Sequence, residues 1–225
     1  MKVYPITPRG YCKGVVRAIE LAKKQAHQDD VYILGMIVHN QYIVDALNNL
    51  GVKTIDKKGA SREELLDQVS QGTVIITAHG ASHNVIKKAH SKNIQVINAT
   101  CPDVIKTHDL IKNYLNQGIE ILYIGKAGHP ESEGALSIDP AHIHLIENKT
   151  DFENLDPNLN YVITNQTTMS LYDVYDLCEY AKTKLNNLKK HVKQQLYVKK
   201  LLQKLMMKLM SFLSLVILIR TILKN

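Results

Sequence analysis

Tryptophan is missing from this 225-residue chain, phenylalanine occurs twice and cysteine three times. So few cysteines, and an odd number of them, argue against a disulfide framework and leave reactive thiols or metal ligands as the better readings. No long apolar run is present either. The longest uncharged stretch of the tail, Leu209–Ile219, is about half of what a bilayer-spanning helix needs. Met1 to Ile6 reads as a short strand without the apolar core of a secretory signal, so the expected compartment is the cytoplasm.

Acids are absent from one region only. All 21 Asp and Glu lie at or before Glu179, whereas residues 180–225 carry 11 of the 28 Lys and Arg. The first 179 residues hold 17 basic against 21 acidic side chains, a balance of −4, although the whole chain is +7. The basic character therefore belongs to the tail, and no nucleic-acid partner is expected of the body. With 45% hydrophobic and 22% charged residues, the composition is that of a globular protein with one large or two modest cores.

What is present is an alternation of β-rich and helical stretches as far as about Ala181. Strands are predicted at Val3–Ile6, Tyr32–Leu34, Val74–Thr77, Gln95–Ile97, Ile121–Ile124, His142–Leu145 and Tyr161–Thr164. Helices are predicted at Gly14–His27, Gln41–Leu50, Arg62–Val69, His83–His90, Pro102–Asn116 and Leu171–Leu185. Ser82 and Ser170 stand at N-cap positions, and Ser61 with Glu64 forms a capping-box pattern. The alternation predicts an α/β fold of parallel sheets flanked by helices, with a domain boundary near Asn98–Cys101.

Several strands run directly into short polar strings: Ala78-His79-Gly80, Asn98-Ala-Thr100-Cys101, Gly125 through Glu131, and Asn165 through Thr168. Ligands of parallel α/β sheets bind beyond the carboxyl ends of the strands, so these strings are expected to converge on one pocket. Cys12 lies on a glycine-flanked loop before a helix, and Cys101 precedes Pro102 at a helix start. The positive end of a helix favours a thiolate, as nucleophile or as metal ligand. A buried structural role is the alternative for Cys12, and Cys178, inside a helical stretch, is read as core. His39, His79 and His129 follow apolar runs beside Gly or Asn and suit a phosphate-bearing ligand. Glu131, next to a histidine, is the candidate proton donor, with Glu133 read as a solvated acid at a helix start. Thr167 and Thr168 are candidates to hold a substrate hydroxyl, or else turn residues.

Taken in order, Gly10-Tyr-Cys12-Lys-Gly-Val-Val-Arg-Ala, Val38-His39-Asn40, Ala78-His79-Gly80, Ala99-Thr-Cys101-Pro, Gly128-His129-Pro-Glu131 and Gln166-Thr167-Thr168 resemble the signatures of the LytB family of 4-hydroxy-3-methylbut-2-enyl diphosphate reductases over residues 1 to about 190. The resemblance implies repeated parallel-sheet domains, three and pseudo-symmetric, around a central cavity. It implies a [4Fe–4S] cluster on three cysteines, here Cys12 and Cys101 with the third missing. It implies an allylic diphosphate substrate bound by His39, His79 and His129, with Glu131 and Thr167 or Thr168 at the departing hydroxyl. A ferredoxin- or flavodoxin-like donor would supply the electrons, and the products would be isopentenyl and dimethylallyl diphosphate.

The family pattern breaks after His191, where the chain turns into a Lys- and Leu-rich run. Residues 1–98 and 99–192 are therefore expected to be two domains, with 193–225 an aberrant tail in place of the third. Codon degeneracy permits Leu215–Leu223, read from third bases, to encode Gly-Asp-Pro-Asn-Ser-Asn-Asn-Ser, and Tyr197-Val198 to encode a cysteine, which points to a change of reading frame. The tail is read this way rather than as a membrane-binding helix. The chain itself is then expected to be inactive or impaired. The competing readings are a non-catalytic α/β fragment and a zinc hydrolase built on His79, His129, Glu131 and a cysteine.

Overall fold

The computed structural model describes residues 10–38 and 40–190. The strand expected at Val3–Ile6, His39 and the tail 193–225 lie outside the described residues. Among those described, helices α1 (Lys13–Gln25), α2 (Gln41–Asn49), α3 (Arg62–Asp67) and α4 (His83–Ser91) alternate with strands β1 (Val31–Leu34), β2 (Val52–Ile55), β3 (Thr73–Ile76) and β4 (Gln95–Asn98). The series then starts again. Helices α5 (Pro102–Leu115), α6 (Pro130–Leu136) and α7 (Leu171–Lys184), with a 3-10 turn at Lys149–Phe152, alternate with β5 (Glu120–Ile124), β6 (Ile143–Ile146), β7 (Asn160–Asn165) and β8 (Asn187–Lys190).

Each half forms one four-stranded sheet, and the two orders are the same: β2-β1-β3-β4 and β6-β5-β7-β8. β1 pairs in parallel with β2 and β3, β3 with β4, and β5 with β6 and β7. This is the expected α/β architecture of repeated parallel sheets. Strand alternation sends side chains to both faces, and helices cover them. In the first half Val31, Ile33 and Ile75 pack with Ala18, Ala22 and Leu47 of α1 and α2. Leu34, Val74 and Ile76 pack on the other face with Leu65, Leu66, Val85 and Ala89 of α3 and α4. In the second half Ile121, Tyr123, Ile143 and Val162 meet Ile111 of α5 and Ala135 of α6. Each fully buried aliphatic side chain of this kind contributes about 1.5–3 kcal/mol.

The strand order marks where a ligand site is expected. In both sheets the chain reverses direction across the sheet between the first strand and the third, β1 and β3 or β5 and β7. The crevice beyond the carboxyl ends of those two strands is where a ligand fits. His79 follows β3, His129 follows β5, and Thr167 follows β7.

Candidate active site

In the first half the loops after β3 and β4 are laced together. The Cys101 amide donates to Ala78 O at 2.9 Å. Gly80, at φ +81°, lies so close that a Cβ there would stand 3.3 Å from Thr100 Cγ2. His79 and Cys101 are thus carried on adjoining loops. Helix α1 reaches the same place: Arg17 Nη1 donates to Thr100 O at 3.0 Å. A Cβ on Gly14, in the first turn of α1, would stand 2.7 Å from Cys101 Sγ and 2.9 Å from its Cβ. Only glycine lets the helix that Cys12 caps approach Cys101 so closely. Both cysteines are N-caps, Cys12 of α1 and Cys101 of α5, and neither side chain makes a capping hydrogen bond. Asn40 caps α2 by accepting from the Tyr42 amide at 3.0 Å and donates to the Tyr11 hydroxyl at 2.7 Å, which ties the start of α2 to the residue before Cys12.

The two thiols test the fit of an iron–sulfur cluster. They lie on helices in contact, with side chains free of capping bonds, as ligands need to be. The remaining cysteine, Cys178, is 3% exposed on α7 and belongs to the core, as its helical setting led us to expect. Among the described residues no group of three or more His, Cys, Asp or Glu is arranged to hold a metal ion. The chain thus offers two thiols, one short of the set that the resemblance implies.

In the second half His129 is the N-cap of α6, its Nδ1 accepting from the Glu131 amide at 3.2 Å, with Pro130 at the first helical position. That turn swings Glu131 inward, where it is 1% exposed. Its carboxyl accepts from the Thr167 amide at 2.7 Å and from the Thr167 hydroxyl at 3.0 Å, across the gap between the β5 and β7 loops. Burial pushes the Glu131 carboxyl above the usual carboxylate range; the two Thr167 bonds and Tyr123 oppose the rise. Glu133 is half-buried rather than solvated: burial raises it too, against the pull of Arg62, because α6 lies flat on the protein instead of projecting from it. The two halves meet at an edge-on pair, the His79 and His129 rings 5.2 Å apart at 77°. Thr168 accepts from Gln166 Nε2 at 2.6 Å, so it is held by its own loop.

Three buried polar residues were given no individual role by the sequence reading. Gln166, 4% exposed, accepts from the Lys126 amide at 3.1 Å and the Ser132 hydroxyl at 3.2 Å, joining the β5 and β7 loops with α6. Arg62, 5% exposed, donates to Leu34 O at 2.6 Å and Thr77 Oγ1 at 2.7 Å, bridging the ends of β1 and β3. Tyr123 is fully buried beneath α6. The one signal available was Gln166's place inside a polar string; Arg62 and Tyr123 look like an ordinary helix-start residue and an ordinary strand residue.

Two repeated parallel α/β halves with polar residues gathered at both reversal points define the class, an α/β protein with a candidate site at the switch points of its sheets. The chain matches the family model described as LytB protein over residues 3–218. Proteins named 4-hydroxy-3-methylbut-2-enyl diphosphate reductase are similar: that of Brevibacillus brevis is 52% identical over 184 residues, covering 80% of this chain and 58% of the relative. That of Geobacillus sp. strain WCH70 is 50% identical over 196 residues, covering 85% and 62%. A solved structure of the E-1-hydroxy-2-methyl-but-2-enyl-4-diphosphate reductase from Plasmodium falciparum superposes with a TM-score of 0.74 at 29% identity, over 83% of this chain and 58% of that one. The chain belongs to the LytB family. It spans about three fifths of the length of the curated relatives it matches.

Proposed function

We propose that this chain carries the substrate-binding and proton-delivering part of a reductase that removes the allylic hydroxyl of 4-hydroxy-3-methylbut-2-enyl diphosphate. The observation that carries the reading is Glu131: a buried carboxyl raised by desolvation, held by Thr167 and adjoining the His79–His129 pair. His79, His129 and His39 bind the diphosphate, imidazoles beside glycine and asparagine serving as donors to its oxygens. Glu131, whose carboxyl burial raises above the usual carboxylate range, gives a proton to the departing hydroxyl, which leaves as water as the C–O bond breaks. Thr167 orients that carboxyl, and Thr168 lines the same loop. Two electrons and a second proton complete the conversion to isopentenyl and dimethylallyl diphosphate, with a ferredoxin- or flavodoxin-like protein as electron source and the cytoplasm as setting.

Cys12 and Cys101 would hold two corners of a [4Fe–4S] cluster whose third thiolate this sequence does not supply, so the chain alone is inactive or impaired. The repeated strand order and the cysteine-capped helix opening each half support a division into 1–98 and 99–192, with 193–225 standing in place of a third such domain. Sequencing the gene tests the change of reading frame: codons in the alternative frame that lack a cysteine near Tyr197 overturn it.

The functional test is a hybrid in which residues 1–190 continue into the remaining part of the Brevibacillus brevis relative. Reconstituted without oxygen, it should consume the allylic diphosphate with a reduced viologen, and Glu131→Gln should slow it at least about 100-fold. A hybrid that holds iron and sulfide yet leaves the substrate intact overturns the proposal.

A further inference from the structure

We propose that the Tyr123 hydroxyl is a positioning group for Glu131, donating to its carboxylate and holding the charge that remains once Glu131 has released its proton. The inference rests on the reading of Glu131 as proton donor.

Alternation along β5 turns Tyr123 toward the face that α5 and α6 cover, where it packs with Ile111 and Ala135. Helix α6 carries Glu131. The Tyr123 ring edge and Ser132, the residue after Glu131, converge on Gly125: a Cβ there would stand 2.8 Å from Tyr123 Cε1 and 2.6 Å from Ser132 Oγ. Glycine at 125 therefore brings the ring up against the turn that holds the acid. The Tyr123 hydroxyl is fully enclosed and makes no hydrogen bond of full geometry, yet it stands near enough to the Glu131 carboxyl for each to perturb the other. Left so, a buried hydroxyl costs about 1–3 kcal/mol, which makes it a donor waiting for an acceptor.

Glu131 is that acceptor. An ionised carboxylate has about four lone-pair sites, and Thr167 occupies two of them. Tyr123 and Glu131 also act on each other: the phenol lowers the acid, while burial, and then Glu131, raises the phenol. A phenol raised in this way keeps its proton. Tyr123 can only donate a hydrogen bond, so it steadies the charged form of Glu131 and does not replace it as acid. The other groups facing Glu131 are Thr167 from the loop after β7 and His129 from its own loop. His79 stands edge-on to His129, and Arg62 and Glu63 bear on neighbouring Glu133.

The test uses the 225-residue chain with 13C-labelled glutamate carboxyls and tyrosine Cζ, followed by NMR against pH; Glu131→Gln assigns the resonances. Glu131 should titrate above the ordinary carboxylate range. Tyr123→Phe, which removes one oxygen, should raise that midpoint by about one pH unit and leave Glu133 where it was. In the unmutated chain the Tyr123 Cζ signal should step at the Glu131 midpoint, which decides the matter even if the variant fails to fold. An unchanged midpoint in Tyr123→Phe, or a Tyr123 signal flat through the Glu131 step, overturns the inference. A Glu131 midpoint within the ordinary range removes the proton-donor reading first, and the inference with it.

Discussion

The two halves share a strand order but close their reversal points with opposite charges. Between β1 and β3 the bridge is a buried cation, Arg62, held by a carbonyl and a hydroxyl. Between β5 and β7 it is a buried acid, Glu131, held by an amide and a hydroxyl. Neither group has an ion-pair partner in hydrogen-bond contact among the described residues. The difference lies in what each can do about burial. Desolvation pulls Arg62 down only to about 10, so it stays charged at neutral pH. A raised carboxyl can take up a proton and become neutral. The first half thus holds a fixed charge for structure, and the second holds a charge that can come and go, which is what proton transfer requires.

The hydroxyl on each bridge breaks the comparison most directly. Thr77→Val removes an acceptor from a guanidinium that cannot neutralise itself, so urea unfolding should show a loss of about 2–3 kcal/mol, constant between pH 5 and 8. Thr167→Val should cost less at neutral pH and almost nothing in acid, because Glu131 can protonate. Equal, pH-independent losses for the two variants would erase the distinction between the halves.

Next in size is the contact between α1 and Cys101. Gly14→Ala puts a Cβ 2.7 Å from Cys101 Sγ, and the two helices must separate. The expected cost is about 2 kcal/mol, in the range of overpacked cores, with a rise in Cys101 alkylation rate by a maleimide. An unchanged rate and stability would mean that the two cysteine loops are not held together through Gly14.

The sign of the acid's contribution gives a third check. The folded chain binds a proton at Glu131 more tightly than the unfolded chain does. The stability this lends is fully present below the ordinary carboxylate range and is lost as pH rises through the raised value. The stability of the native chain relative to Glu131→Gln should therefore fall as pH increases from about 4. A difference that grows with pH would mark Glu131 as an ordinary ionised surface-type acid.

Most of this scaffold was legible in the sequence, because long helices and buried strands carry strong periodicity. β2 and β8 were not: Val-Lys-Thr-Ile and Asn-Leu-Lys-Lys are edge strands whose polar residues blur the alternation. Helix α6 was missed as well, since Pro-Glu-Ser-Glu-Gly-Ala-Leu has weak helical propensity and depends on the His129 cap and the burial of Ala135. At the site, His79, Cys101, His129 and Glu131 stood out as polar residues following apolar runs. Arg62 did not, because its partners are 28 and 15 residues distant and its meaning lies across the sheet.

The smallest effect concerns a feature the halves share. The third helical element of each begins with a capping box, Ser61 with Glu64 on α3 and Asn148 with Asp151 on the 3-10 turn. Both satisfy the same exposed amides, so both should be worth something whatever charge lies beneath. Ser61→Ala should cost about 1 kcal/mol. Asn148→Ala should cost about half that, since a single 3-10 turn has fewer bonds to lose by fraying than a helix that also buries Leu65 and Leu66. Because Arg62 is the first residue of α3, fraying there should also loosen the bridge to Leu34 and Thr77, making Ser61→Ala and Thr77→Val less than additive. Asn148→Ala and Thr167→Val, on separate elements, should add. A double-mutant cycle in each half measures this, and additivity in both would mean that the capping box and the buried cation act independently.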